Sequence, residues 1–193
     1  ILPGRPDDDA WLPKLARVER EDEFRRRDLV HVPQVLLEEP EGIVRAHLAY
    51  FRAGARVATT ASYQATFEGF ARRGIGHDEA AELMRRSVEL GVEARRRFAA
   101  ERLAAGDEDV APRFVAASIG PYGAMLADGS EYRGRYGLTM DRLRDFHRER
   151  LAVLAATDSD VLAVETIPEL EEATAIVALL AETPGAAAWV AFA

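Results

Sequence analysis

Residues 160–173, Asp-Val-Leu-Ala-Val-Glu-Thr-Ile-Pro-Glu-Leu-Glu-Glu-Ala, decide how the chain is read. Val161 to Val164 are consecutively apolar, and Glu165 and Thr166 follow at once. A short unbroken apolar run of this kind reads as a strand buried on both faces, as in parallel sheets covered by helices. Pro168, with Glu169 and Glu171, then opens a helix: Pro suits a first turn, and acidic side chains complement the dipole there. One buried strand, ending in a carboxylate and turning straight into a helix, makes one βα unit.

The unit recurs on both sides of this stretch. Upstream, VATT (57–60) and FVAAS (114–118) have the same texture, and AWVAF (188–192) follows downstream. Between them lie helical patterns. Pro40 starts one with Ile43, Leu48 and Phe51 on its apolar face, and Gly54 suits its left-handed cap. The longest pattern, from His77 to Leu103, carries Ala80, Leu83, Met84, Ser87, Gly91, Ala94 and Phe98 along one narrow stripe. Glu82 and Arg86, and Glu93 and Arg97, lie one turn apart on its wet side. Thr139 caps a further helix to about Ala156. The order α-β-α-β-α-β-α-β leaves an open doubly wound sheet or a (β/α)8 barrel.

Two features favour the barrel. After the first strand, TTASYQAT has no Gly where a dinucleotide fold wants G-x-G-x-x-G. Polar residues instead end strand after strand: Thr59, Thr60 and Ser62, then Ser118, then Glu165 and Thr166. Barrel sites are assembled from such strand ends. The expected fold is therefore α/β, of (β/α)8 TIM-barrel type, incomplete in this chain: four clear parallel strands where closure takes about eight. Residues 1–35, with ILPGRPDDDAWLPK at their head and a charged, helix-compatible stretch over Leu15–Arg27, read as an atypical, irregular segment. Residues 36–193 form the partial barrel domain.

Composition removes several functions. Apolar residues make up 48% of 193, enough for a buried core. With 25 basic against 33 acidic residues the net charge is −8, which speaks against a nucleic-acid partner. Cysteine is absent, so no disulfide and no thiolate nucleophile or metal ligand arises within these residues. No apolar run approaches the roughly 20 residues of a membrane span, and the acidic, Pro-rich start is unlike a secretory signal. A cytoplasmic location without membrane partners is the expectation.

Glu165 is the leading candidate for chemistry. At a strand end beside the core it pairs either with a substrate ammonium or, more plainly, with the following helix or an internal Arg. Thr60, Ser62 and Tyr63 line a pocket wall, or simply cap a strand with Phe67 and Phe70 in the core. The segment 120–137 has five Gly and reads as a long loop, either a binding loop presenting Tyr122, Tyr132, Arg133, Arg135 and Tyr136 or a disordered insertion. His31, His47, His77 and His147 have no partner at metal spacing, and His47 and His147 read as structural. No metal ligands are assigned.

Four long stretches, GARVATTASYQATFEGFARRGI (54–75), AAELMRRSVELGVEARRRF (80–98), VAASIGPYGAMLADGSEYRGRYGLT (115–139) and 160–173, together resemble the homocysteine S-methyltransferase family over roughly Leu36 to Ala193. The resemblance implies a barrel whose mouth binds homocysteine. It also implies a zinc ion that turns the thiol into a thiolate, which takes a methyl group from S-methylmethionine or S-adenosylmethionine to give methionine. By the same resemblance Glu165 holds the homocysteine amino group, Thr60, Ser62 and Tyr63 lie near the substrate, and Tyr122 belongs to a loop at the mouth. Two departures stand out. The Asp-Gly-Gly turn after the family's first strand is missing. The family's zinc sits on three cysteines, one after the sixth strand and an adjacent pair near the C-terminus, whereas this chain runs only to what resembles the fifth strand and contains no Cys. Two functional expectations follow: the N-terminal part of a zinc-dependent methyltransferase acting in methionine biosynthesis, or a catalytically inactive remnant serving as an interaction partner. Either would present unpaired barrel edges prone to self-association.

Overall fold

A computed structural model describes residues 31–107 and 111–193. The stretch Leu15–Arg27 and most of the segment 1–35 lie outside the described residues; from His31 the chain is already helical. Helix α1 spans His31–Glu38 and α2 Pro40–Arg52, followed by strand β1, Val57–Thr59. Helices α3, Phe67–Ala71, and α4, His77–Ala104, lead to β2, Phe114–Ile119. Helix α5, Tyr122–Leu126, and a 3-10 turn, Ser130–Tyr132, precede α6, Met140–Ala155. Strand β3, Val161–Ile167, helix α7, Leu170–Ala181, and strand β4, Ala188–Phe192, complete the order.

The strands form one parallel sheet in the order β1-β2-β3-β4. Each strand neighbours its successor with no reversal, which is barrel winding; a doubly wound sheet reverses at a switch point. Alternation sorts the side chains. Val115, Ala117 and Ile119 of β2 join Leu162, Val164 and Ile167 of β3 in the core, against Met84 and Val88 of α4, Leu151 and Leu154 of α6 and Ile176 of α7. Gly91 lets α4 settle onto β2, since a Cβ there would stand 3.0 Å from a Val115 methyl. Ala116 and Ser118 point to the opposite, inner face, in register with Thr59 and Ala163.

Helix ends follow their expected chemistry. Thr139 Oγ1 accepts from the Arg142 amide at 3.2 Å. Gly54, with φ of 102°, ends α2: its own amide bonds Phe51 O and the Ala55 amide bonds Tyr50 O, the paired bonds of a Schellman cap. On α4, Glu93 pairs with Arg97 at 2.8 Å, whereas Arg86 turns from Glu82 to the Leu36 carbonyl at 3.1 Å.

Two expectations need correction. The outer strands are not buried on both faces: Val57 of β1 is 38% exposed, and Trp189 and Phe192 of β4 are 40% and 59% exposed. Among the described residues nothing pairs with the far edges of β1 and β4, so apolar composition marks burial that the described residues do not complete. The segment 120–137 is likewise not a structureless loop. It folds into α5 and the 3-10 turn, with Gly123 packed so closely on Ser130 and Glu131 that a Cβ would lie 2.5 Å from the Glu131 amide.

Candidate functional site

The C-terminal ends of β1, β2 and β3 are joined by a chain of hydroxyls. Ser62 Oγ donates to the Ser118 carbonyl at 2.8 Å, so the Thr60 hydroxyl donates to Ser62 Oγ, 2.7 Å away. Thr60 Oγ1 in turn accepts the Ser118 amide at 3.1 Å. Both side chains are buried and fully engaged. Their hydrogen-bonding capacity is spent inside the wall, stitching the segment after β1 to β2.

Ser118 continues the chain. Its hydroxyl donates to Glu165 Oε1 at 2.5 Å. Glu165 is half-buried at the inner side of β3. It takes neither of the plainer roles open to it from sequence: the N-cap position of α7 is Glu169, which makes no side-chain cap bond, and among the described residues Glu165 enters no ion pair. It is a half-buried carboxylate anchored through one oxygen and, among the described residues, without a cation partner.

Thr166 sits beside it with φ of +61°. A β-branched residue rarely adopts that conformation, which costs about 1–2 kcal/mol, and such strain concentrates at functional positions. The β3–β4 register shifts between Val164 and Ile167, so this twist re-aims the strand end. Tyr63 closes the group. Its phenol lies near the Thr166 side chain, and burial above all pushes its pKa up. Gly120 lies under the ring, where a Cβ would come within 2.7 Å, and the Gly120 amide donates to Tyr63 O at 3.1 Å.

Thus Thr60, Ser62, Tyr63 and Glu165 converge. Tyr122 does not join them through its ring, which packs on Tyr136 and Phe146 with centroids 5.2 and 4.8 Å apart. Sequence reasoning named Ser118 and Thr166 as polar strand ends without seeing the carboxylate clamp or the strained backbone. Among the described residues no group of three or more His, Asp or Glu could hold a metal ion, and the chain has no Cys. These residues therefore do not compose a zinc site. Among the described residues no helix is long and apolar enough to cross a membrane.

Successive βα units, with polar groups gathered where the parallel strands end, define a (β/α)8-barrel type of protein, a class whose sites form at that end of the strands. The sequence profile described as Homocysteine S-methyltransferase matches residues 10–193. The chain belongs to the homocysteine S-methyltransferase family. It is 52% identical over 159 residues to Homocysteine S-methyltransferase YbgG of Bacillus subtilis, covering 82% of this chain and 50% of that protein. To Homocysteine S-methyltransferase 1 of Arabidopsis thaliana it is 49% identical over 160 residues, covering 81% and 49%. The metallated form of the homocysteine methyltransferase MmuM from Escherichia coli superposes with a TM-score of 0.80 at 44% identity, over 92% of this chain and 58% of that one. The chain spans about half the length of the curated relatives it matches.

Proposed function

We propose that this chain provides the amino-acid-gripping wall of a homocysteine S-methyltransferase. In the reaction, a methyl group leaves the sulfonium of S-methylmethionine or S-adenosylmethionine for the homocysteine sulfur. The thiol loses its proton, the new C–S bond forms as the old one breaks, and methionine and a neutral thioether result. The observation that carries the reading is Glu165: half-buried, held by Ser118 and lacking a cation partner among the described residues. A substrate ammonium supplies that cation, and partial burial strengthens the contact over its value in water. Thr60 and Ser62 keep the wall rigid behind it, Tyr63 bounds the pocket, and Tyr122 contributes through the backbone of its loop.

A zinc-activated thiol is the family's expected device, but the donors for it are not among these residues, and the sulfur chemistry rests with other groups. The cytoplasm suits the reaction, because a free thiol substrate stays reduced there. The open edges of β1 and β4 support self-association as well.

Calorimetric titration with L-homocysteine and with 4-mercaptobutanoate, which lacks the amino group, tests the reading. Glu165→Gln should weaken homocysteine by about 10- to 100-fold, matching the 1.5–3 kcal/mol of a hydrogen bond to a charged group, and leave the analogue unchanged. Equal affinity of wild type and variant for homocysteine would refute the amine contact.

A further inference from the structure

Beneath the mouth lies a buried polar cluster that the proposed reaction does not use. Arg150 and His147 of α6 and Glu172 of α7 are 1%, 0% and 0% exposed. A guanidinium only donates. The 2.8 Å contact from Arg150 Nη2 to His147 Nδ1 therefore places the imidazole proton on Nε2, which donates to Glu172 Oε1 at 2.7 Å. The rest of the cluster's bonding goes to loop backbone. Arg150 donates to the carbonyls of Gly120 and, at 3.4 Å, Ala65; Glu172 Oε1 accepts the Tyr122 amide at 2.6 Å.

Buried charges of this kind are poor stabilisers, and apolar replacements of similar volume often do as well. What distinguishes this set is its targets. Ala65 belongs to the segment after β1, Gly120 and Tyr122 to the segment after β2, and Tyr63 lies between them with its ring on Gly120. We propose that Arg150, held by His147 and Glu172, is a positioning residue of the mouth: it clamps the two loops together so that Tyr63 stands on Gly120, against Thr166 and beside Glu165. Its consequence for ligand rests on the reading of Glu165 as the amine contact.

The 193-residue chain tests this with two readouts. The first needs no ligand: the α-proton NMR shifts of Gly120, displaced by the Tyr63 ring, with Tyr63→Ala as the reference for a missing ring. The second is the ratio of affinities for L-homocysteine and 4-mercaptobutanoate, which a general loss of packing would lower for both and leave level. Arg150→Met should move the Gly120 shifts toward the Tyr63→Ala values and cut the ratio at least tenfold. Unmoved shifts in folded Arg150→Met overturn the proposal, as does an unchanged ratio where wild type shows a preference. Should that variant not fold, Arg150→Lys decides in the same way. The guanidinium reaches the Ala65 carbonyl from Nη1 and the Gly120 carbonyl and His147 from Nη2; an ammonium, with its three donors on one nitrogen, cannot stand at both positions, so its Gly120 shifts must still move. Wild type without any preference between the two ligands overturns the assignment of Glu165 alone, and the Gly120 shifts then decide the role of Arg150.

Discussion

At the scale of single residues, the mouth is built by spending stability on orientation. Thr166 shows this most directly: its φ of +61° is one that glycine adopts freely and a β-branched residue resists. Thr166→Gly should release that strain while losing the side chain that lies near the Tyr63 phenol. Part of the gain is offset by the greater freedom of Gly in the unfolded chain. The expected outcome is stability unchanged or raised by up to about 1 kcal/mol in urea unfolding, together with weaker homocysteine binding by calorimetry. A clear loss of stability would show that the Thr166 side chain contributes more by its contacts than its backbone costs.

At the scale of elements, α6 and α7 meet through ionisable groups where apolar ones are usual. Burial, and then the Arg150 charge, holds the His147 pKa well below its ordinary 6.5. The unfolded chain therefore binds a proton that the native state refuses, and the His147 contribution to stability, present above pH 6.5, is lost as pH falls. Burial acts oppositely on Glu172, raising it from 4.5 to about 7, so its native form holds a proton the unfolded chain lacks and its contribution fades as pH rises through that interval. Between about pH 4.5 and 6.5 the two slopes, each at most about 1.4 kcal/mol per pH unit, oppose one another. Arg150, Glu169 and Tyr136 are the other ionisable groups acting on the pair, and the Glu169 charge adds to the rise at Glu172. His147→Gln should leave the Glu172 slope uncovered, so the variant gains stability relative to wild type with each step from pH 7 to pH 5. Urea unfolding at intervals across that range checks it; a constant difference would mean that His147 is not held neutral.

The same helices show what the sequence could and could not disclose. Strand β3 was legible because four apolar residues ending at Glu165 leave few other readings, and the caps at Thr139 and Gly54 were legible because they are local chemistry. The stripe Leu143, Phe146, His147, Arg150, Leu151 and Leu154 was written at helical spacing too, and an Arg and a His inside it were the visible sign of a buried network. Their partners were not visible, since Gly120 O and Glu172 lie 30 and 25 residues away along the chain. Nor does any pattern of residue types encode the φ of Thr166 or the turn of the Tyr122 ring toward Tyr136 and Phe146. Those depend on how loops pack once the sheet exists.

At the scale of the whole molecule, the described residues contain half of the strands that a closed barrel takes, about eight. A barrel has no edges and buries its inner face by closing on itself. Here β1 and β4 each lack a second partner among the described residues, and Val57, Phe114 and Trp189, which alternate to the inner side, are 38–40% exposed. The net charge of −8 opposes association only over about a Debye length, whereas strand pairing and apolar contact act at touching distance. Sedimentation velocity of the 193-residue chain should therefore show mass rising above monomer as concentration increases through the micromolar range. Trp189→Lys places a charge on the inner face next to the open β4 edge, the device by which natural edge strands resist pairing. It should return the chain toward monomer without lowering the thermal midpoint, because Trp189 is already 40% exposed and lies outside the helix-facing core. A wild-type chain that stays monomeric at about 100 μM, well inside the micromolar-to-millimolar range in which exposed edges and apolar surface associate, would mean that these apolar side chains are covered in solution by the chain itself.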